Sequence, residues 1–297
     1  MSFSSRTKAE LCRQPIARKC CAVSECFGVL LYCNTFQPGQ IRIVTESPDF
    51  AARLPRLFKK AFGLTFDVLP EEKRGKRVFQ ITDPEKLAVV WEAFGFSQEG
   101  DPALHVNYGL LEDDACGYSF LRGAFLSGGS VTDPGKRYHL ELATTHAKVG
   151  RESHALMLDL GLSPKETERS GSVVLYFKQS DYIEDFLTSI GAPVCAMEIM
   201  EAKVEKELIN GVNRRVNCET ANLTKVVDAA QEQLAAIRKL ESGGRLETLS
   251  QKLQETAALR RENPEATLTE LAEMMNPPLT KSAMNHRMRK LIELAKE

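Results

Sequence analysis

The segment Ser119-Phe120-Leu121-Arg122-Gly123-Ala124-Phe125-Leu126-Ser127-Gly128-Gly129-Ser130 has an earlier counterpart in Ser24-Glu25-Cys26-Phe27-Gly28-Val29-Leu30-Leu31. Both read as apolar helices with a glycine at their centre. Outward from each, the same signals follow in the same order. An alternating strand comes next, Ile41-Arg42-Ile43-Val44-Thr45 in one copy and Leu140-Glu141-Leu142-Ala143-Thr144 in the other. Helical patterns follow at 50–62 and 149–160, each closed by Gly-Leu. A second apolar strand, Arg77–Ile81 or Val173–Phe177, leads to a last helix ending before Gly95 or Gly191. Gly28 and Gly123 are 95 residues apart, Gly63 and Gly161 98, Gly95 and Gly191 96. One such pair would mean little; three at near-equal offset, in one order of elements, predict a duplication.

The expected unit is αββαββα, used twice, over about residues 20–105 and 115–198 of a first domain covering 1–198. A linker is expected at 199–219 and an all-α domain at 220–297, giving an α+β chain with a helical C-terminal module. Within that module Leu223, Val226, Val227, Ala230, Leu234 and Ile237 recur at three- and four-residue steps, predicting a helix from Thr220 to the Gly243-Gly244 stop.

Thr267-Leu268-Thr269-Glu270 has the form of a capping box opening a short helix that buries Leu268, Leu271, Ala272 and Met275. Asn276-Pro277-Pro278-Leu279 must then turn, because neither proline continues a helix. Thr280 can cap a last helix from Lys281, whose apolar stripe is Met284, Met288, Leu291 and Ala295. Lys281, Ser282, Asn285, His286, Arg287, Arg289 and Lys290 lie on its other face or flanks, with no acid between Thr280 and Ile292. Short helix, tight turn and a helix with a cationic outer face is the form that enters the major groove of DNA. Ser, Asn and Arg can reach base edges there and Lys or Arg can pair phosphates. The competing reading is a solvated terminal helix in a small bundle.

The Phe120–Ser130 segment resembles the motif of LAGLIDADG homing endonucleases. That resemblance implies two units packed through their motif helices, with a metal-binding acid near the end of each. Here Gly128 and Cys33 stand at those positions. Hard cations such as Mg²⁺ take oxygen ligands, and neither residue supplies a carboxylate. No catalytic residue, metal or cofactor is therefore expected. Glu112, Asp113 and Asp114 sit at the other end of the second motif helix and read as a solvated acidic loop.

Along nearly its whole length the sequence further resembles the WhiA family, on Asn263–Ala272, Pro277-Pro278, Lys281–Lys290, Asn222-Leu223, Ala229-Ala230-Gln231 and the Ser119–Ser130 motif. The resemblance implies a sequence-specific DNA-binding transcription regulator concerned with cell division, chromosome segregation or sporulation. It implies duplex DNA as partner and a cytoplasmic, nucleoid-associated protein. Thr280 departs from the serine common at that position.

Composition sets the remaining bounds. The 297 residues carry a formal net charge of −1, so nucleic-acid contact has to come from local clustering of Lys and Arg. Arg53, Arg56, Lys59 and Lys60, and Lys73, Arg74, Lys76 and Arg77, are such clusters, read as solvated faces. No signal peptide or membrane span is indicated, and no small-molecule substrate is evident. Of the eight cysteines, Cys20, Cys21, Cys26 and Cys33 cluster without a C-x-x-C pair and are expected to be reduced and packed as small apolar groups. Two alternatives remain: a scaffold whose N-terminal domain binds a protein, and a metal-dependent nuclease with unusual ligands.

Overall fold

The computed structural model describes residues 1–70, 75–97 and 103–296; Lys73 and Arg74 of the second basic cluster lie outside the described residues. The chain divides into two compact units, Met1–Lys206 and Glu207–Glu297.

In the first unit α1 (Phe3–Arg13) precedes α2 (Lys19–Leu31), which leads through β1 (Thr35–Gln37) and β2 (Gln40–Thr45) to α3 (Pro48–Phe62), β3 (Arg77–Ile81) and α4 (Pro84–Ala93). The second repeat runs α5 (Asp114–Gly128), β4 (Gly129–Val131), β5 (Leu140–Thr144), α6 (Ala147–Asp159), β6 (Lys165–Arg169), β7 (Ser172–Phe177) and α7 (Ser180–Ile190). Two antiparallel sheets result, ordered β1-β2-β3 and β4-β5-β7-β6. The α+β class and the duplication stand. The second copy has the expected αββαββα order, whereas the first has one strand fewer among the described residues. Where β6 has its equivalent, only Val68 bridges to Gln80. The chemistry differs at that point: Ser170 and Gly171, both at positive φ, turn β6 tightly into β7. In the first copy Pro70 follows Val68 by two residues and has no N–H to extend a ladder.

The centre of the unit is the α2–α5 pair. A Cβ on Gly28 would lie 2.0 Å from the Phe120 carbonyl oxygen, and one on Gly123 2.0 Å from that of Glu25. Backbone therefore meets backbone, and only glycine fits at either position. Phe27 and Phe120 meet edge to face beside this contact. Ile41 and Ile43 of β2, and Leu140 and Leu142 of β5, point into the core as their alternation requires. Gly63 and Gly191 end α3 and α7 in the left-handed conformation expected of them.

Arg53 is not part of a solvated cationic face. It is buried, and its Nε and Nη2 donate to the two Glu25 carboxylate oxygens at 2.6 and 2.8 Å. Its Nη1 donates to the carbonyls of Cys12 and Gln14. Arg122 of α5 completes the network, reaching Glu25 Oε2 at 3.3 Å and the Ile190 carbonyl at 2.6 Å. A buried charge is tolerated only when paired and hydrogen-bonded in this way.

Residues 199–219, expected as a linker, are helical within α8 (Pro193–Ser242), and the helix expected from Thr220 begins at Pro193. Glu10 fixes that start, accepting from the Val194 and Cys195 amides at 2.8 and 3.0 Å. Nothing periodic in the sequence announces such a tie between residues 184 positions apart.

In the second unit the remainder of α8 is followed by a 3₁₀ turn at Leu246–Thr248, α9 (Gln251–Glu262), α10 (Leu268–Glu273) and α11 (Lys281–Lys296). Its core is Ala236, Ile237, Leu240, Ala257, Leu271, Ala272, Met284, Met288, Leu291 and Ala295. The expected α8 stripe is buried only from Ala230 onward; Leu223, Val226 and Val227 are exposed.

Candidate nucleic-acid interface

The geometry of the second unit starts from two caps. Thr267 Oγ1 accepts from the Glu270 amide at 3.3 Å, and Glu270 Oε2 accepts from the Thr267 amide at 2.6 Å, so the capping box is complete. That backbone hydrogen bond also holds the Glu270 carboxyl below the usual range. Leu271 and Ala272 are buried, and Leu268 and Met275 are packed partly against the core. The turn closes when the Leu279 amide donates to the Ala272 carbonyl at 2.8 Å. Thr280 Oγ1 then accepts from the Ala283 amide at 3.2 Å and starts α11.

On α11, Met284, Met288, Leu291 and Ala295 are buried, the four positions of the apolar stripe. Lys281, Ser282, His286, Arg289 and Lys290 are exposed, while Asn285 and Arg287 are half-buried. The two flanking residues thus differ from the outer five. Arg287 Nη1 donates to Thr256 Oγ1 of α9 at 3.4 Å, tying α11 to its neighbour. Lys290 stands 3.7 Å from Glu293, one turn further on. The first turn of α11 carries no acid, so its backbone N–H groups and its cations point the same sign of potential outward.

One supporting residue escaped the sequence reading. Arg260 is buried, and its Nη1 donates to the Ala266 carbonyl at 2.5 Å, pinning the loop that leads into the capping box. Burial lowers its pKa from the usual guanidinium value. An arginine beside Arg261 near a helix end gives no sign of facing inward.

Gly128 and Cys33 stand where the LAGLIDADG resemblance sets metal-binding residues. A Cβ on Gly128 would meet the Ala143 carbonyl oxygen at 2.7 Å and the Tyr32 ring at 2.9 Å. Cys33 donates to the Thr35 carbonyl, and burial pushes its thiol up to about 12. Neither helix end presents a carboxylate. Asp113 belongs to the opposite end of α5, where it caps the helix through the Cys116 amide and pairs with Arg18 at 2.6 Å. It is a cap, not merely part of a solvated loop. On the second sheet Glu141 meets both Arg169 (3.5 Å) and His139 (3.2 Å), so that face carries mixed charge.

Two repeats packed through glycine-centred helices, followed by a capped helix-turn-helix, define a LAGLIDADG-like domain joined to a DNA-binding type of module. The comparisons agree with that division. The family description "WhiA LAGLIDADG-like domain" matches residues 117–209, and "WhiA C-terminal HTH domain" matches 212–295. A "Probable cell division protein WhiA" of Alkaliphilus metalliredigens is 37% identical, covering 99% of this chain and 98% of its own. Its namesake in Ruminiclostridium cellulolyticum is 38% identical over 99% and 97%. The crystal structure of full-length WhiA from Thermotoga maritima superposes with a TM-score of 0.62 at 27% identity, covering 100% of this chain and 98% of that one. The chain belongs to the WhiA family. No helix among the described residues is long and apolar enough to cross a membrane.

Proposed function

We propose that this chain is a sequence-specific DNA-binding regulator that reads duplex DNA with α11 and acts, like the relatives named for it, in cell division. Chromosome segregation and sporulation are the processes such a regulator would serve. The observation that carries the reading is the outward set Lys281, Ser282, His286, Arg289 and Lys290, held proud of a fully apolar stripe by two side-chain caps. Ser282, Asn285 and His286, in the N-terminal half of α11, are assigned to base edges. Lys281, Arg289 and Lys290 are assigned to phosphates, which dominate affinity and make it salt-dependent. Arg287 is assigned a positioning role through Thr256, with a flank contact to phosphate where the groove brings one close.

The first unit acts in this reading without nuclease chemistry, because Cys33 and Gly128 offer no oxygen ligands for a hard cation. Supercoiled plasmid incubated with the protein and Mg²⁺ is expected to stay intact. The protein is expected to act in the cytoplasm at the nucleoid.

Replacing Arg289 and Lys290 together by Ala tests the main claim. The plot of log binding constant against log salt is expected to lose about 0.9 in slope per phosphate contact removed. A double variant with unaltered affinity and salt slope would remove α11 from the interface.

A further inference from the structure

Cys20 and Cys21 lie in the first turn of α2, and Cys116 lies in the first turn of α5. Their three sulfur atoms are all within 4.8 Å of one another, with Cys21 and Cys116 at 3.8 Å. Among the described residues this is the one grouping of three or more His, Cys, Asp or Glu side chains with ligand atoms so close. Cys21 and Cys116 are separated by 95 residues, the offset that also relates Gly28 to Gly123 and Cys33 to Gly128. They are therefore equivalent positions of the two repeats, brought face to face by the same glycine contact that joins the helices. They sit at the opposite ends of those helices from the former acid positions.

The sequence reading missed this because it grouped cysteines by proximity along the chain. Cys26 and Cys33, close in sequence, point elsewhere, whereas Cys116 arrives from the other repeat.

Three features suit a cation rather than simple packing. A metal–sulfur bond of about 2.3 Å in tetrahedral geometry sets sulfur atoms about 3.8 Å apart, the separation of Cys21 and Cys116. The first turns of two helices, one from each repeat, converge on the sulfurs, so the ligands come from both copies. Cys20 and Cys21 are half-buried while Cys116 is buried, so an ion has a way in from solvent and a dry far wall.

We propose that Cys20, Cys21 and Cys116 hold one thiophilic d¹⁰ cation, of the class of Zn²⁺ or Cu⁺, which links the starts of the two central helices. Three S–H protons pass to solvent as three sulfur–metal bonds form, and no electrons are exchanged. Soft thiolate ligands select such ions over Mg²⁺, so the site is unrelated to the lost nuclease metal centres. Its place at the join of the repeats makes the bound ion a clasp on the first unit.

The test uses the full chain, purified reduced and stripped of metal, with Cd²⁺ as probe. One equivalent is expected to bind, with a thiolate-to-cadmium charge-transfer band, to displace Zn²⁺ bound beforehand, and to raise the melting temperature. Loss of an outer-shell partner typically costs 10–100-fold in metal affinity, so losing a ligand through Cys21→Ser or Cys116→Ser is expected to cost more than about 100-fold. Cys20→Ser, at a half-buried position, keeps the test available if Cys116→Ser fails to fold. Cys33→Ser and Cys218→Ser are expected to bind as the parent does. Absence of the band in the parent, or its retention in a Cys20→Ser, Cys21→Ser double variant, would overturn the proposal. So would reduced protein that takes up no cadmium but closes a Cys21–Cys116 disulfide in air, which would make the pair a redox couple instead.

Discussion

Gly123 occupies a space with no tolerance for one more carbon. Its missing Cβ would stand 2.0 Å from the Glu25 carbonyl oxygen, which belongs to a helix that cannot yield locally. Gly123→Ala is expected to cost about 3 kcal/mol or more, the upper range of overpacking. Gly39, with nothing within 4 Å of an added Cβ, serves as the control. Gly39→Ala is expected to stay within about 0.5 kcal/mol of the parent. Urea unfolding of both variants checks the contrast, and equal midpoints would show that the helix pair adjusts freely. The glycine's recurrence at matched positions was legible in the sequence as a sign of duplication, whereas its packing role came only with the LAGLIDADG resemblance. Arg53 was misread at the same scale. A cation in the run Arg53, Arg56, Lys59 and Lys60 carries no mark of the Glu25 carboxylate waiting 28 residues upstream. Removing one member of such a buried pair typically costs about 3–5 kcal/mol, because the other is left charged and alone.

Elements were legible where local chemistry fixed them and obscure where distant residues did. The capping box, the proline turn, the Thr280 cap and the α11 stripe are all written in contiguous residues, and each has the expected geometry. The start of α8 depends on Glu10, and among the described residues the first repeat has only the Val68–Gln80 bridge where the second has β6, with Pro70 close by. Neither leaves a periodic trace. The cap itself makes a prediction. Thr267→Ala removes the acceptor of the Glu270 amide but keeps the backbone N–H that Glu270 accepts from, at an expected cost of about 1 kcal/mol. Because α10 is only Leu268–Glu273, that loss should appear as faster amide exchange at Leu271 and Ala272. Unchanged protection there would mean that packing, not the cap, holds the helix.

For the whole molecule, burial of thiols and a phenol sets the response to alkali. Cys12, Cys33 and Cys195 are each pushed from 9.0 up to about 12, chiefly by burial, and Tyr32 from 10.0 to about 12. A raised folded-state pKa means that the unfolded chain releases its proton first. The stability these groups contribute is complete below about pH 9 and is lost as pH climbs toward about 12. Lys8 works the other way: burial lowers it from 10.5 to about 8, so it favours folding increasingly across that interval. Burial raises Cys26 and Cys116 as well, so the raised groups outnumber Lys8, and melting temperatures are expected to hold until about pH 9 and fall beyond it. Cys33→Ser, which removes one titrating group, should make the decline shallower. A melting temperature that rises between about pH 9 and 10.5 would show that Lys8 outweighs the buried thiols and phenol together.

The interlocked glycines carry an evolutionary consequence for the duplicated half. Each copy supplies the backbone carbonyl against which the other copy's glycine must stay bare, so both positions are held to glycine whatever side chains surround them. Away from that contact the copies differ, the second with a four-stranded sheet and the first with three strands among the described residues. The crossing acts as a pivot that admits no side chain from either copy, so a change there is felt by both halves at once.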